Sequence, residues 1–229
     1  MSETVRQPFA DRAALASYVE NARRTVPGFD AMHAMASILL AERVPIAGKV
    51  LVLGAGGGVE LRLLAGARAD WSLVGVDPSE PMLDLARETL GDQADRAALH
   101  LGYIDDAPGG PFDGAACILT LHFLAADERL RTLREVRKRL SPGSPFVVAH
   151  CSFPQQPLDL RSLWRDREEA YIVASGGTAE MARKRREGVD KALPVLSPEH
   201  DEALLREAGF TDVTPFYLGF TFRGWVAYA

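Results

Sequence analysis

The chain has little of what marks several large classes of protein. Two cysteines in 229 residues are too few for the disulfide framework of a small secreted domain. No apolar run reaches the length of about 18 residues that a membrane-spanning helix needs. Basic residues are not in excess either, and the formal net charge of −5 argues against broad electrostatic binding to nucleic acid. We therefore expect neither a membrane span nor an extended nucleic-acid surface.

Motifs of other enzyme classes are missing as well. The sequence has neither the Gly-x-Ser-x-Gly elbow of many hydrolases nor the Gly-Lys-Ser/Thr loop of nucleotide triphosphatases. His33, His100 and His200 lie on separate segments without a cysteine or acid at metal-ligand spacing, so we expect no metal. The first residues lack the apolar core of a signal peptide, so we expect a cytoplasmic protein.

The stretch from residue 49 to residue 77 carries the most specific pattern. Val50 to Leu53 is typical of a strand that is buried on both faces. Glycines follow at 54, 56, 57 and 58, and their lack of a Cβ atom allows a sharp turn against which a ligand can lie. A helical run then starts at Val59, a second apolar strand covers 73–76, and Asp77 ends it. This order is half of a doubly wound nucleotide-binding unit.

The glycine spacing indicates which ligand this unit binds. A dinucleotide fingerprint would need a glycine where Val59 stands, and the glycines fall instead at 54, 56 and 58. S-adenosylmethionine has no phosphate; it needs an open glycine turn under its methionine part and a carboxylate for its ribose hydroxyls. Asp77 follows Gly54 by 23 residues, near the spacing of about 20 expected for a ribose-binding acid. The pattern therefore predicts S-adenosylmethionine as cofactor and S-adenosylhomocysteine as product.

These residues resemble the class I S-adenosylmethionine-dependent methyltransferases. The matching blocks are residues 50–58, the Gly-Val-Asp-Pro-Ser-Glu-Pro-Met-Leu run at 75–83, and residues 112–124 and 140–143. The likeness covers most of the chain from residue 45 onward. It implies an α/β fold with a doubly wound, Rossmann-like sheet of seven strands, the last one antiparallel, and a cofactor over strands one, two and four.

The segments before this unit and the spacing after it predict the remaining architecture. A helical period covers residues 11–24, and a second helix, capped by Asp30, is expected to bury one apolar face: Met32, Met35, Ile38 and Leu39. Ser79 and Asp127 are the expected caps of two crossover helices. We divide the single methyltransferase domain into an N-terminal helical cap (1–44), a cofactor-binding core (45–151), a helical insertion or lid (152–196) and a closing helix and hairpin (197–229).

The insertion interrupts the alternation of strands and helices. The fifth strand is expected over residues 146–149, with His150 at its tip. The following residues, 152–196, hold several prolines, a charged helical stretch and a basic run at 183–186. They are too long for an ordinary crossover, so we expect a helical insertion that closes the site.

Residues 102–106 are expected to border the adenine. In the class I pattern an acid commonly stands directly after the third strand, whereas here Gly102 is followed by Tyr103. Tyr103 is then a candidate for stacking on the adenine, with the Ile104 amide or Asp105 hydrogen-bonding its edge. The alternative is that Asp105 and Asp106 are solvated turn residues.

Within the class, the chain is most similar to the carboxy-S-adenosylmethionine synthases that serve tRNA wobble-uridine modification. The shared features are Val26-Pro27-Gly28 before an aromatic residue, Leu40-Ala41-Glu42-Arg43, Thr120-Leu121-x-Phe123-Leu124 and Ala208-Gly209-Phe210.

Three positions decide how far this closer resemblance extends. That family holds an extra carboxylate with a tyrosine, an asparagine and an arginine, and the first two positions are Phe29 and Ile118 here. Only the arginine has a counterpart, Arg186, with Arg185 one step away. The glycine turn also has Ala55 and Gly56 where the family has cysteine and serine. A second carboxylate with so few partners would cost several kcal/mol to bury, so ordinary methyl transfer is the better prediction.

The catalytic candidates are two histidines near the carboxyl edge of the sheet, His122 and His150. A histidine base contributes on the order of a hundredfold or more when the nucleophile carries a proton. The competing interpretation is that both are satisfied polar residues and that no base is used. Likewise, residues 183–186 are either a solvated helix face or an anion clamp around Arg186.

These observations lead to one prediction with two alternatives. We expect an S-adenosylmethionine-dependent methyltransferase acting on a small molecule, as a monomer or a homodimer. The alternatives are a carboxy-S-adenosylmethionine synthase-like enzyme and a cofactor-binding protein without catalysis. The expected cofactor contacts are Gly54, Ala55, Gly56, Asp77, Pro78, Met82, Tyr103, Ile104, Leu119, Thr120 and Phe29, with Arg186 for the substrate.

Overall fold

The computed structural model describes residues 18–229, with side chains from residue 19. Seven strands form one sheet in the order β3-β2-β1-β4-β5-β7-β6. All neighbouring pairs from β3 to β5 are parallel, and β7 runs antiparallel to both β5 and β6. The strands are β1 (Lys49–Leu53), β2 (Ser72–Asp77), β3 (Ala97–Leu101), β4 (Gly114–Ile118), β5 (Pro145–Cys151), β6 (Thr211–Gly219) and β7 (Phe222–Tyr228). The predicted fold class is confirmed.

Helices cover both faces of this sheet. Strands β1, β4 and β5 are buried almost throughout, because an apolar cluster lies on each side of them. In the described part of the chain the helices are α1 (Tyr18–Thr25), α2 (Phe29–Ala41), α3 (Val59–Ala67), α4 (Glu80–Leu90), α5 (Ala126–Arg139), α6 (Leu158–Ala174), α7 (Ala179–Ala192) and α8 (Pro198–Glu207). Residues 11–17 of the first predicted helix lie outside the described residues.

The glycine turn and its flanking helices form as the sequence predicts. Helix α3 begins at Val59, directly after the turn, and α4 begins after Ser79, whose hydroxyl accepts a hydrogen bond from the Met82 amide. Ser197 caps α8 in the same way, by accepting from the His200 amide. The helical insertion is present as α6 and α7, between β5 and β6.

Two predicted caps are wrong, and the predicted apolar face of α2 is wrong at Ile38, whereas Met32 is buried and Met35 and Leu39 pack against the core. Helix α2 begins at Phe29, so its cap is Gly28, in a left-handed conformation (φ 66°), and Asp30 lies in the first turn. Asp127 likewise lies inside the first turn of α5, which starts at Ala126. The buried face of α2 is Phe29, Met32, His33, Ala36 and Leu40, whereas Ile38 is 62% exposed. The reason is helical phase, since residues that follow at intervals of three and four share a face.

Candidate active site

A cavity of about 280 Å³ opens at the carboxyl ends of β1, β2 and β4. This is the point where the strand order reverses, because the chain moves outward from β1 in one direction and from β4 in the other. Open α/β sheets bind ligands at such a point. The cavity is lined mainly by apolar atoms and by the backbone of the glycine turn: Phe29, Gly54–Gly57, Val59, Glu60, Asp77–Met82, Ile118–Thr120 and Phe123.

The glycines of the turn have different roles. Gly54 has φ 73°, and a Cβ atom there would lie 2.0 Å from the Oγ1 atom of Thr120. Only glycine therefore permits the ends of β1 and β4 to approach this closely. Gly58 serves packing instead, because a Cβ atom there would lie 2.7 Å from the Cα atom of Ala86 in α4.

Asp77 is held at the cavity by two backbone amides. Its Oδ2 accepts from the Gly56 amide and its Oδ1 accepts from the Ser79 amide, both at 2.9 Å. Burial raises the pKa of Asp77, against the lowering effect of these hydrogen bonds. A carboxylate oxygen has two acceptor sites, so each oxygen keeps one for a hydroxyl pair in the cavity.

Glu60 is a site residue that the sequence prediction did not include. It lies in the first turn of α3, and its Oε1 is 3.0 Å from Nε2 of buried His33, whose Nδ1 is 2.8 Å from the Phe29 carbonyl oxygen. Both ring nitrogens thus face acceptors, an arrangement that fits the protonated imidazolium. Burial by itself lowers the pKa of His33, but Glu60 and the Phe29 carbonyl outweigh it and raise that pKa. This pair joins the covering helix α2 to the glycine turn.

The predicted adenine segment lines a smaller cavity of about 60 Å³ beside the first. Tyr103 and Ile104 border it, and it shares Gly54, Pro78, Thr120 and Phe123 with the larger one. The two aspartates of this segment have partners. Asp106 accepts from the Tyr103 amide at 2.8 Å, and Asp105 pairs with Arg131 at 2.9 Å.

A second large cavity, of about 200 Å³, adjoins the first. Leu119 and Phe123 line both cavities. Leu119 stands at the end of β4 with φ 58°, a left-handed conformation that costs a side-chain-bearing residue about 1–2 kcal/mol. Its amide is held by the Ala149 carbonyl at 2.6 Å. The second cavity is lined by Asn21, Ala22, Thr25, Val26, Leu119, His122, Phe123, Arg185 and Phe222.

The two candidate histidines lie in different surroundings. His122 borders the second cavity, whereas His150 borders none of the cavities described above. The prediction that His150 stands at the tip of β5 is wrong, because the strand continues to Cys151 and His150 pairs there with Arg223 of β7. His150 is 2% exposed, and its Nε2 lies 3.2 Å from Oδ2 of Asp201 in α8.

The basic run contributes Arg185 to a cavity, and Arg186 faces another way. The Arg186 guanidinium pairs with Asp166 and Glu169, both at 2.7 Å. Arg185 pairs with Glu168 at 3.2 Å and borders the second cavity. Neighbouring residues on a helix point about 100° apart. An error of one residue in aligning the basic run therefore selects Arg186, which faces Asp166 and Glu169, in place of Arg185, which borders the cavity.

Nine of the predicted cofactor contacts line the same cavity, and the remaining two line its small neighbour. The predicted contacts did not include eight further lining residues: Gly57, Val59, Glu60, Ser79, Glu80, Pro81, Ile118 and Phe123. A usable signal existed for Glu60 and Glu80, because each stands in the first turn of a helix that starts at the ligand-binding edge of the sheet.

Residues 18–229 form neither a metal-binding cluster nor a membrane-crossing helix. No group of three or more histidine, cysteine, aspartate or glutamate side chains is arranged there to hold a metal ion. Over the same residues, no helix combines the length and the apolarity that crossing a bilayer requires.

Comparison with known proteins agrees with this geometry. Residues 51–146 match a family described as a methyltransferase domain. A carboxy-S-adenosyl-L-methionine synthase from Chromohalobacter salexigens is 27% identical over 227 residues, which cover 95% of this chain and 82% of that protein. One from Pseudomonas fluorescens is 29% identical over 215 residues, which cover 90% and 86%.

A solved structure extends the likeness to the whole fold. An O-methyltransferase family protein from Burkholderia thailandensis superposes with a TM-score of 0.68 at 16% identity, over 95% of this chain. The chain spans 59% of that protein's length. Over residues 51–146 this chain is therefore similar to methyltransferase domains, and its whole fold is similar to that of a solved O-methyltransferase family protein.

Proposed function

We propose that this protein transfers the methyl group of S-adenosylmethionine to a small-molecule acceptor. The observation that carries the proposal is the convergence of Gly54, Asp77 and Thr120 on one cavity. The cofactor supplies an electrophilic methyl group and a sulfur that leaves with the electron pair. The protein supplies the alignment of acceptor and cofactor.

The residues of the cavity fit that cofactor. The backbone of the glycine turn lines the cavity for the methionine part, and Asp77 keeps acceptor sites for the two ribose hydroxyls. The charged side chains among the described lining residues are Glu60, Asp77 and Glu80, all of them acidic. An acidic, apolar cavity favours a cationic sulfonium over a ligand that bears an additional negative charge.

A second candidate function is supported by the names of the curated relatives, which are carboxy-S-adenosyl-L-methionine synthases. Arg185, in the adjoining cavity, is the residue that would meet an added carboxylate. Two features oppose this alternative. Phe29 and Ile118, which replace polar residues of that family's pattern, both line the cofactor cavity, and neither side chain can hydrogen-bond a carboxylate.

The two functions differ in the ligand that they retain. Protein purified under native conditions and denatured in acid releases its cofactor for mass spectrometry. We expect S-adenosylmethionine or S-adenosylhomocysteine. A ligand that is heavier by one carboxyl group in place of a hydrogen atom would establish the alternative instead.

The ribose assignment is tested by replacing Asp77 with alanine. Removing a charged acceptor of two hydroxyls should weaken S-adenosylhomocysteine binding at least about tenfold in calorimetry. The matched control is Asp84→Ala in the same crossover region, whose exposed carboxylate pairs only with Arg87 among the contacts of the described chain. Equal affinities for the two variants would contradict the assignment.

A binding protein without catalysis would also pass the calorimetric test. Product formation separates it from an enzyme. We expect conversion of S-adenosylmethionine to S-adenosylhomocysteine to depend on an added acceptor.

A further inference from the structure

The second cavity lies where an acceptor would have to lie. It shares Leu119 and Phe123 with the cofactor cavity, so a molecule in it adjoins the cofactor. Its lining combines apolar residues with Asn21, Thr25, His122 and Arg185. A buried apolar cavity of about 150 Å³ holds a benzene molecule, so 200 Å³ suffices for one ring with a polar substituent.

The tautomer of His122 follows from its hydrogen bond. The Cys151 amide donates to Nδ1 of His122 at 3.2 Å, so Nδ1 carries no proton. The proton of the neutral ring is then on Nε2, and this N–H group makes no hydrogen bond within residues 18–229. Burial lowers the pKa of His122 well below its ordinary value, and the neighbouring His150, Arg185 and Arg129 lower it further, against the raising effect of Asp201.

His122 is therefore a donor at this cavity and does not act as a base. The nitrogen that could take a proton is occupied by a backbone amide, and the other nitrogen already has one. An acceptor whose nucleophile must lose a proton would find no base in this side chain. An acceptor that is already ionised would find a hydrogen-bond donor.

Arg185 brings to this cavity a guanidinium whose carboxylate partner is shared. Its Nε pairs with Glu168, but Glu168 also pairs with buried Arg165. Asp190 lies 4.0 Å from Arg165 and is engaged more closely by Arg161. Three arginines thus share two carboxylates. The terminal nitrogens of Arg185 make no hydrogen bond with the described residues and are available to an anion.

We propose that the second cavity binds the acceptor, and that the acceptor is a small cyclic molecule with an ionised oxygen held between the Nε2–H group of His122 and the guanidinium of Arg185. This inference rests on the proposed function. Transfer to that oxygen forms the O–CH3 bond with an oxygen lone pair and breaks the S–CH3 bond, whose electron pair stays on sulfur. The balance needs no base and no metal, since the oxygen enters without its proton.

A coloured phenol tests the site without relying on turnover. 4-Nitrophenol is yellow only as the phenolate, so its pKa on the protein can be followed by absorbance. With S-adenosylhomocysteine bound, we expect the wild-type protein to lower that pKa by about one unit, a tenfold preference for the anion. Arg185→Gln should abolish the shift. Arg183→Gln, the same change on an exposed neighbour of α7, should retain it.

His122 is tested by two substitutions. His122→Phe removes the donor and should reduce the shift, whereas His122→Gln keeps an N–H group and should restore most of it. Calorimetry with S-adenosylhomocysteine runs in parallel and reports folding and the cofactor site separately. An unshifted phenol pKa on a wild-type protein that binds S-adenosylhomocysteine would overturn this proposal alone. A protein that does not bind S-adenosylhomocysteine would overturn the proposed function and this inference with it.

Discussion

Single residues at the carboxyl edge of the sheet determine the shape of the site. Gly54 admits Thr120, Asp77 is oriented by two amides, and Leu119 accepts a left-handed backbone where the chain leaves β4. Residues other than glycine adopt a left-handed conformation where the surrounding structure enforces it, and such residues are concentrated at functional sites. Here it places one side chain on the boundary of two cavities.

Two glycines provide a matched test of this shaping. Gly54→Ala should lower the free energy of unfolding by more than about 1 kcal/mol, because both the positive φ and the contact with Thr120 oppose a Cβ atom. Gly66→Ala, in the last turn of α3, meets no atom within 4 Å and should stabilise the protein by a few tenths to about 1 kcal/mol. Urea denaturation measures both. Similar effects would show that the turn tolerates a side chain.

At the scale of elements, buried charges fasten the helices around the site. Arg129 of α5 pairs with Asp201 of α8, and it donates to the carbonyls of Leu124 at 3.1 Å and Pro194 at 3.2 Å. Leu124 follows Phe123, which lines all three cavities, and Pro194 lies near the end of the insertion, after α7. One guanidinium therefore connects the loop after β4, the end of the insertion and the closing helix.

This cluster predicts a loss of stability in acid. Burial raises the pKa of Asp201, but His150 and Arg129 outweigh it and lower that pKa to about 2, from 3.8. The stabilisation is present above the unfolded-state pKa and is lost as the pH falls through the folded-state pKa. The difference in unfolding free energy between wild type and Asp201→Asn should shrink by about 2 kcal/mol between pH 5 and pH 2.

The exposed pair of Asp84 with Arg87 supplies the control for that experiment. Surface ion pairs contribute at most about 1 kcal/mol, so Asp84→Asn should show little difference from wild type at either pH. At neutral pH, Asp201→Asn should cost about 3–5 kcal/mol, since it leaves a buried arginine without its anion. A cost that does not change with pH would contradict the ionised state of Asp201.

At the scale of the whole molecule, the doubly wound sheet gathers residues that are far apart in sequence. Gly54, Asp77 and Thr120 meet because parallel strands present their carboxyl ends at one edge. Helix α2 closes the cavity from above the turn through Phe29, and the insertion brings Arg185 to the neighbouring cavity. A ligand that contacts several of these parts at once should stabilise the whole native structure.

Thermal denaturation measures that stabilisation. S-adenosylhomocysteine at a hundred times its Kd adds about 2.7 kcal/mol. For a chain of this size, the Tm should rise by roughly 5–10 °C at about 2–4 °C per kcal/mol. NADH at the same concentration should leave the Tm unchanged, because the glycine spacing lacks the third position of a pyrophosphate-binding turn. A larger rise with NADH would contradict the cofactor assignment.

The local pattern of the sequence was sufficient for the strands, the glycine turn, the position of Asp77 at the end of β2 and the caps at Ser79 and Ser197. These features depend on residues close in sequence, whose propensities and spacing act through the backbone itself. Features that depend on helical phase were harder to predict from the sequence. The observed cap of α2, Gly28, lies two residues before the predicted Asp30, and Ile38 of the predicted apolar face is exposed. In the basic run, Arg185 borders the second cavity and the adjacent Arg186 does not.

Tertiary structure alone decided what each polar side chain faces. Nothing in the sequence around His122 shows that the Cys151 amide occupies its Nδ1, or that His150 is buried against Asp201, because these partners are 29 and 51 residues away. The same holds for Glu60 and His33, which meet across two helices. The sequence determines which polar groups a segment carries, whereas packing determines which of them hydrogen-bond to one another and which remain available to a ligand.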